Sequence, residues 1–167
     1  MPDHLRTLPV TSQDFQQLVG EQRLYVVLDA CTSPVILAKV RELGPSRAPC
    51  LYLGGVAPQI LEVAPYLARV DGELLQWLID AVWSMPWGIF LVAKLELEAV
   101  RKQLRKFLRV KSPDGELMYF RYYDPRVLPV FLESCIESEL ASFFAGISAF
   151  GCATVAKPGA GLLFQRS

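Results

Sequence analysis

Residues able to do chemistry are few in this chain, and they concentrate in Phe120-Arg121-Tyr122-Tyr123-Asp124-Pro125-Arg126-Val127-Leu128. Here two arginines and an aspartate flank a proline where a β-type run meets a helical one. An aspartate cap and a proline suit such a junction, but arginines on both sides exceed what local propensity needs. Arg121, Asp124 and Arg126 are therefore candidate partner-binding residues, since guanidinium forks and a carboxylate set register through charge-assisted hydrogen bonds. A purely structural reading competes, in which Asp124 caps its helix and pairs with Arg121 or Arg126 to lock a corner. Trp83 and Trp87, within Trp83-Ser84-Met85-Pro86-Trp87-Gly88-Ile89-Phe90, straddle a helix stop. They are the candidate apolar wall of a groove, with ordinary core packing as the alternative.

Catalytic chemistry has little to stand on, and no catalytic residue, cofactor or metal ligand set is expected. The one histidine, His4, lies in a segment expected to be mobile, whereas a nucleophile's base must be held within hydrogen-bond reach. Gly-x-Ser-x-Gly, the phosphate-binding P-loop and Gly-x-Gly-x-x-Gly are all absent from the sequence, and Gly54-Gly55 reads as a turn. Glu96 and Glu98, like Glu133 and Glu137, read as solvated surface. Asp29 follows an apolar strand, where open α/β sheets place ligands; satisfying backbone amides ahead of Ser33-Pro34 is its plainer role. An enzyme using Asp29 and Asp124 as acid and base is the alternative function, and it requires the two to converge with a raised pKa. Arg101, Lys102, Arg105, Lys106, Arg109 and Lys111 form a run without an acid. That run is a solvated face, a contact for an acidic protein, or a salt-sensitive nucleic-acid grip.

The elements that position these residues follow from hydrophobic patterning. Leu24–Leu28 and Trp87–Ala93 read as buried strands. Ser33-Pro34 opens a helix that stops at Gly44-Pro45, and a second strand is expected over Cys50–Leu53. Asp71 caps a helix from Gly72 to about Ser84. Leu95–Leu108 is amphipathic, with Leu97, Val100, Leu104 and Phe107 on one face. Val110–Ser112 and Glu116–Tyr123 flank Pro113-Asp114-Gly115 as a β-hairpin. Asp124-Pro125 starts a helix to about Glu133, and a short helix fits Ser138–Ala145. A closing hairpin is expected across Pro158-Gly159-Ala160-Gly161. The fold class is α/β, a mixed sheet flanked by helices. The expected division is a lead-in (1–22), a core domain (23–147) and a short C-terminal extension (148–167).

Composition narrows the partners. Apolar residues make up 52% of the 167, enough for a sizeable core and for an apolar contact surface besides. With 17 basic and 17 acidic residues there is no global field to favour nucleic acid or anionic lipid. Neither nucleic acid nor membrane is an expected partner. Cys31, Cys50, Cys135 and Cys152 are widely spaced and read as reduced thiols of a cytoplasmic protein. The N-terminus shows no secretory pattern, and no apolar run is long enough to cross a bilayer.

Several segments taken together carry a resemblance: Leu24–Ala30, Leu61–Leu67, Trp83–Phe90, Leu104–Leu108 and Phe120–Leu128, in that order. The set resembles the adaptor or chaperone family of bacterial type VI secretion systems, long catalogued as a domain of unknown function, over about residues 22–147. The resemblance implies a non-enzymatic protein that binds a toxic effector and helps load it onto the valine-glycine repeat spike protein. Some relatives carry a larger C-terminal region, here reduced to about residues 147–167.

Overall fold

Strands that are apolar at every position need cover on both faces, and the two strongest runs of this sequence obtain it. The structure, a computed structural model, describes residues 4–167; Met1–Asp3, part of the expected lead-in, lie outside the described residues. In chain order the elements are β1 (Leu5–Val10), α1 (Ser12–Gly20), β2 (Leu24–Asp29), α2 (Pro34–Arg47), α3 (Pro58–Leu61), β3 (Pro65–Arg69) and α4 (Gly72–Trp77). They continue with β4 (Gly88–Ala93), α5 (Leu97–Arg105), β5 (Arg109–Lys111), β6 (Leu117–Tyr119), α6 (Leu128–Ser134), α7 (Glu137–Phe143), β7 (Ile147–Ala153) and β8 (Gly161–Arg166).

Six strands form one sheet in the order β1-β8-β7-β4-β2-β3, and β5-β6 form a separate ribbon. The α/β class therefore holds, with the ribbon and the closing β7-β8 hairpin both present. Every pairing in the sheet is antiparallel, so no parallel pair enters the expected mixture. Unbroken apolar strands usually signal a parallel sheet because crossover helices cover both faces. Here helices cover both faces of an antiparallel one. Leu24, Val26 and Leu28 point into a core layer built with α1, α2 and α4, while Tyr25 and Val27 join the layer under α5, α6 and α7. Alternation is preserved; both sides are simply dry.

Residues after His4 are not a loose lead-in: β1 pairs with β8 from Leu5↔Arg166 to Val10↔Gly161, and the His4 carbonyl accepts from the Ser167 amide at 3.0 Å. Pro9 is tolerated because β1 is an edge strand. Helix α1 starts on a capping box, with the Thr11 amide donating to Asp14 Oδ2 at 2.7 Å. The expected strand over Cys50–Leu53 shrinks to a single bridge, Cys50↔Tyr66. Helix α2 breaks where expected, at Gly44 (φ 79°), before a last turn. Asp71 caps α4 as read, its Oδ1 accepting from the Leu74 amide at 2.8 Å, but the helix widens into a π-helical turn over Leu78–Val82.

Candidate functional site

The corner that the sequence singles out is assembled from two distant segments. Asp29 ends β2 and is 1% exposed, so its carboxylate requires partners. The Arg121 guanidinium donates to Asp29 Oδ2 across 92 residues, and the Cys31 amide donates to Asp29 Oδ1 at 3.1 Å. Burial pushes the Asp29 carboxyl above the usual range, against the pull of Arg121 and the Cys31 amide; the nearby Asp124 charge adds to the rise. Gly88 makes the close approach possible. It has φ +149°, and a Cβ there would lie 1.8 Å from the Val27 carbonyl oxygen. Immediately beside it, the Trp87 carbonyl accepts from the Asp29 amide at 2.7 Å.

Asp124 has a different partner. Arg126 donates to it three times, from its amide and Nε at 2.9 Å each and from Nη2 at 2.7 Å. These bonds hold the Asp124 carboxyl below the usual range despite its burial. The Asp124 backbone carbonyl meanwhile accepts from Val127 and Leu128, starting the turn that leads into α6. Its side chain thus closes a local Asx-type turn. Arg121 and Arg126 remain reachable, with side chains 42% and 70% exposed, while the carboxylates they neutralise are not.

Tyr122 and Tyr123, between these charges, are buried anchors. The Tyr122 hydroxyl donates to the Leu104 carbonyl at 2.9 Å, and the Tyr123 hydroxyl lies 3.5 Å from that of Tyr52. Burial raises the pKa of both tyrosines. Trp83 and Trp87, read as candidates for a groove wall, are instead core side chains at 3% and 1% exposure. They pack with Phe90, and Trp83 Nε1 donates to the Thr154 and Ala160 carbonyls, so they support the corner from behind.

The basic run divides by role. Arg101 and Arg105 donate to the carbonyls of Cys50, Leu51 and Tyr52, fixing a segment the sequence reading treats as strand. Lys102, Lys106, Arg109 and Lys111 stay exposed. Tyr52, which sequence reasoning missed, lies against Tyr119 with tilted rings and centroids 4.8 Å apart, and so joins the ribbon to the corner. No local pattern marks it; Arg105 at its carbonyl and Tyr123 at its hydroxyl position it. The surface hollows include one of about 370 Å³ between the end of α5, the ribbon, α6 and α7, and one of about 450 Å³ between α2, α3 and β3.

The four cysteines are unbridged, with Cys135 and Cys152 buried and their thiols pushed up to about 11 and about 12 by desolvation. Among the described residues no helix is long and apolar enough to cross a membrane.

Comparison with known proteins gives two matches. The family model described as Domain of unknown function (DUF4123) matches residues 24–142, from the start of β2 into α7 and including both segments of the corner. Accessory protein VasW of Vibrio cholerae serotype O1 (strain ATCC 39315 / El Tor Inaba N16961) is 28% identical over 102 residues, 60% of this chain. The chain spans about a third of the length of that relative (34%). No solved structure matches.

Proposed function

The chain belongs to the DUF4123 family, and from that premise we propose that it is a type VI secretion adaptor. It binds a toxic effector and helps load it onto the valine-glycine repeat spike protein, without catalysing a reaction. The similarity to a protein named as accessory supports this reading. The observation that carries it is the corner itself: both carboxylates are buried and ion-paired, whereas the guanidinium groups that neutralise them face outward. Such an arrangement holds two forked donors in fixed orientation for carbonyl or carboxylate groups of a partner chain. Arginine is also among the residues that most often anchor protein interfaces.

Asp29 and Asp124 do lie near enough for one charge to raise the other's pKa, which is what an acid–base pair needs. Each is already engaged by its own arginine, however, and neither reaches solvent. The binding reading accounts for both facts. Its test is co-purification with a toxic effector or the spike protein from the native lysate, identified by mass spectrometry. Arg126→Ala keeps the residue-126 amide on Asp124, so it should stay folded by circular dichroism and weaken capture at least about tenfold. Undiminished capture by Arg126→Ala removes the corner from the interface, and a wild-type protein that retains neither effector nor spike contradicts the adaptor role.

A further inference from the structure

The β5-β6 ribbon is unusual in that all six strand residues are exposed, so neither of its faces is covered. Val110, Leu117, Met118 and Tyr119 are 42–58% exposed. A two-stranded ribbon is marginal alone in water, and exposed apolar clusters of this kind mark contact sites. At its root lies the hollow of about 370 Å³, within the range of binding pockets, whose apolar lining is Phe107, Val110, Phe120 and Phe131. Lys106 and Arg109 stand at the same hollow and also line the adjoining one that contains Tyr119.

Charge decides what fits. Among the described residues, Lys102, Lys106, Arg109 and Lys111 make no ion pair with any carboxylate. The Lys106 ammonium donates to the Gln103 side chain, and Arg109 lies over the Tyr119 ring at 5.6 Å. The single acid at the hollow, Glu139, is engaged through Oε2 by the Ile136 amide at 2.9 Å. Asp114 and Glu116 belong to the far, turn end of the ribbon.

We propose that the root of the ribbon docks an acidic segment of another polypeptide. An apolar side chain of that segment enters among Phe107, Val110, Phe120 and Phe131, and the carboxylates flanking it meet Lys106 and Arg109. A nucleic acid is disfavoured because Phe120, Phe107 and Phe131 are engaged edge-to-face with one another or with Phe143, leaving few flat platforms among the cations. The inference rests on reading the protein as a polypeptide binder, but it concerns a surface separate from the Arg121–Arg126 corner.

The test is fluorescence anisotropy with a labelled peptide of glutamates flanking a central leucine–phenylalanine pair, at low salt. Saturable binding is expected, falling with added salt and weakened at least about tenfold by Lys106→Glu with Arg109→Glu. Lys106→Gln with Arg109→Gln should give a smaller loss in the same direction, which keeps the test informative if charge reversal disturbs the fold. Lys157→Glu, at an exposed lysine outside both surfaces, should bind this peptide as wild type does, and the peptide assay uses no effector, so failure here and failure of the corner are separable. Equal binding by the reversed variant overturns the proposal. So does an oligonucleotide that displaces the peptide more effectively than unlabelled peptide does, or a ribbon occupied by a second copy of the chain in sedimentation.

Discussion

Residues 121–126 place their tyrosines in the core and their charges on partners, whereas residues 109–119, just before them, leave both kinds of side chain bare. Arginine, tyrosine, aspartate and proline occur in both stretches. What separates them is range. Arg121 is held by a carboxylate 92 residues away, while the ribbon's strands pair only with each other and the Tyr119–Tyr52 ring contact still leaves Tyr119 exposed. Composition alone therefore does not distinguish a locked corner from an open contact surface; the distance over which contacts are made does.

The sharpest way to break this contrast is to disturb what brings the corner together. Gly88→Ala forces a Cβ onto the Val27 carbonyl at a backbone angle that L residues rarely adopt. The expected loss is on the order of 4 kcal/mol or outright failure to fold, read by urea unfolding. Arg121→Ala comes next, with a loss of about 3 kcal/mol, because it strands the buried Asp29 charge. Its pH dependence has a definite sign. A carboxyl whose folded pKa is raised binds protons more readily in the native state, so stability falls as pH rises through that window. Removing the arginine enlarges that rise, so the variant should approach wild type at about pH 4 and diverge from it toward pH 7. Leu117→Ser on the ribbon should have the smallest effect, within about 0.5 kcal/mol, since that side chain is 58% exposed. A large destabilisation by Leu117→Ser, or a negligible one by Arg121→Ala, would erase the distinction between the regions.

Features set by neighbouring residues were legible in the sequence. The apolar runs of β2 and β4, the Ser33-Pro34 start, the Gly44 break and the Asp71 cap depend on local chemistry, and each occupies its expected place. The Thr11-x-x-Asp14 box is equally readable and marks α1 within a segment that otherwise reads as loose. Long-range contacts were not legible. Nothing near Cys50 indicates that Arg101 and Arg105 will take its carbonyl, and the β-prone letters Leu51-Tyr52-Leu53 suggested a strand instead. At the corner, the residue types were readable but the pairing was not: Asp124 chose its local arginine, leaving Arg121 for Asp29. Trp83 and Trp87 misled because a helix stop, which often lies at the surface, is here roofed by Phe15 and Phe90.

The antiparallel register of β1 with β8 sets Leu5 opposite Arg166, so tension applied at residues 4 and 167 loads that seam from one end. Under traction its hydrogen bonds yield in succession, like the teeth of a zip, instead of sharing the load in shear. Forced opening is governed by the unfolding rate, and a seam that peels offers a low mechanical threshold for detaching the outermost strand.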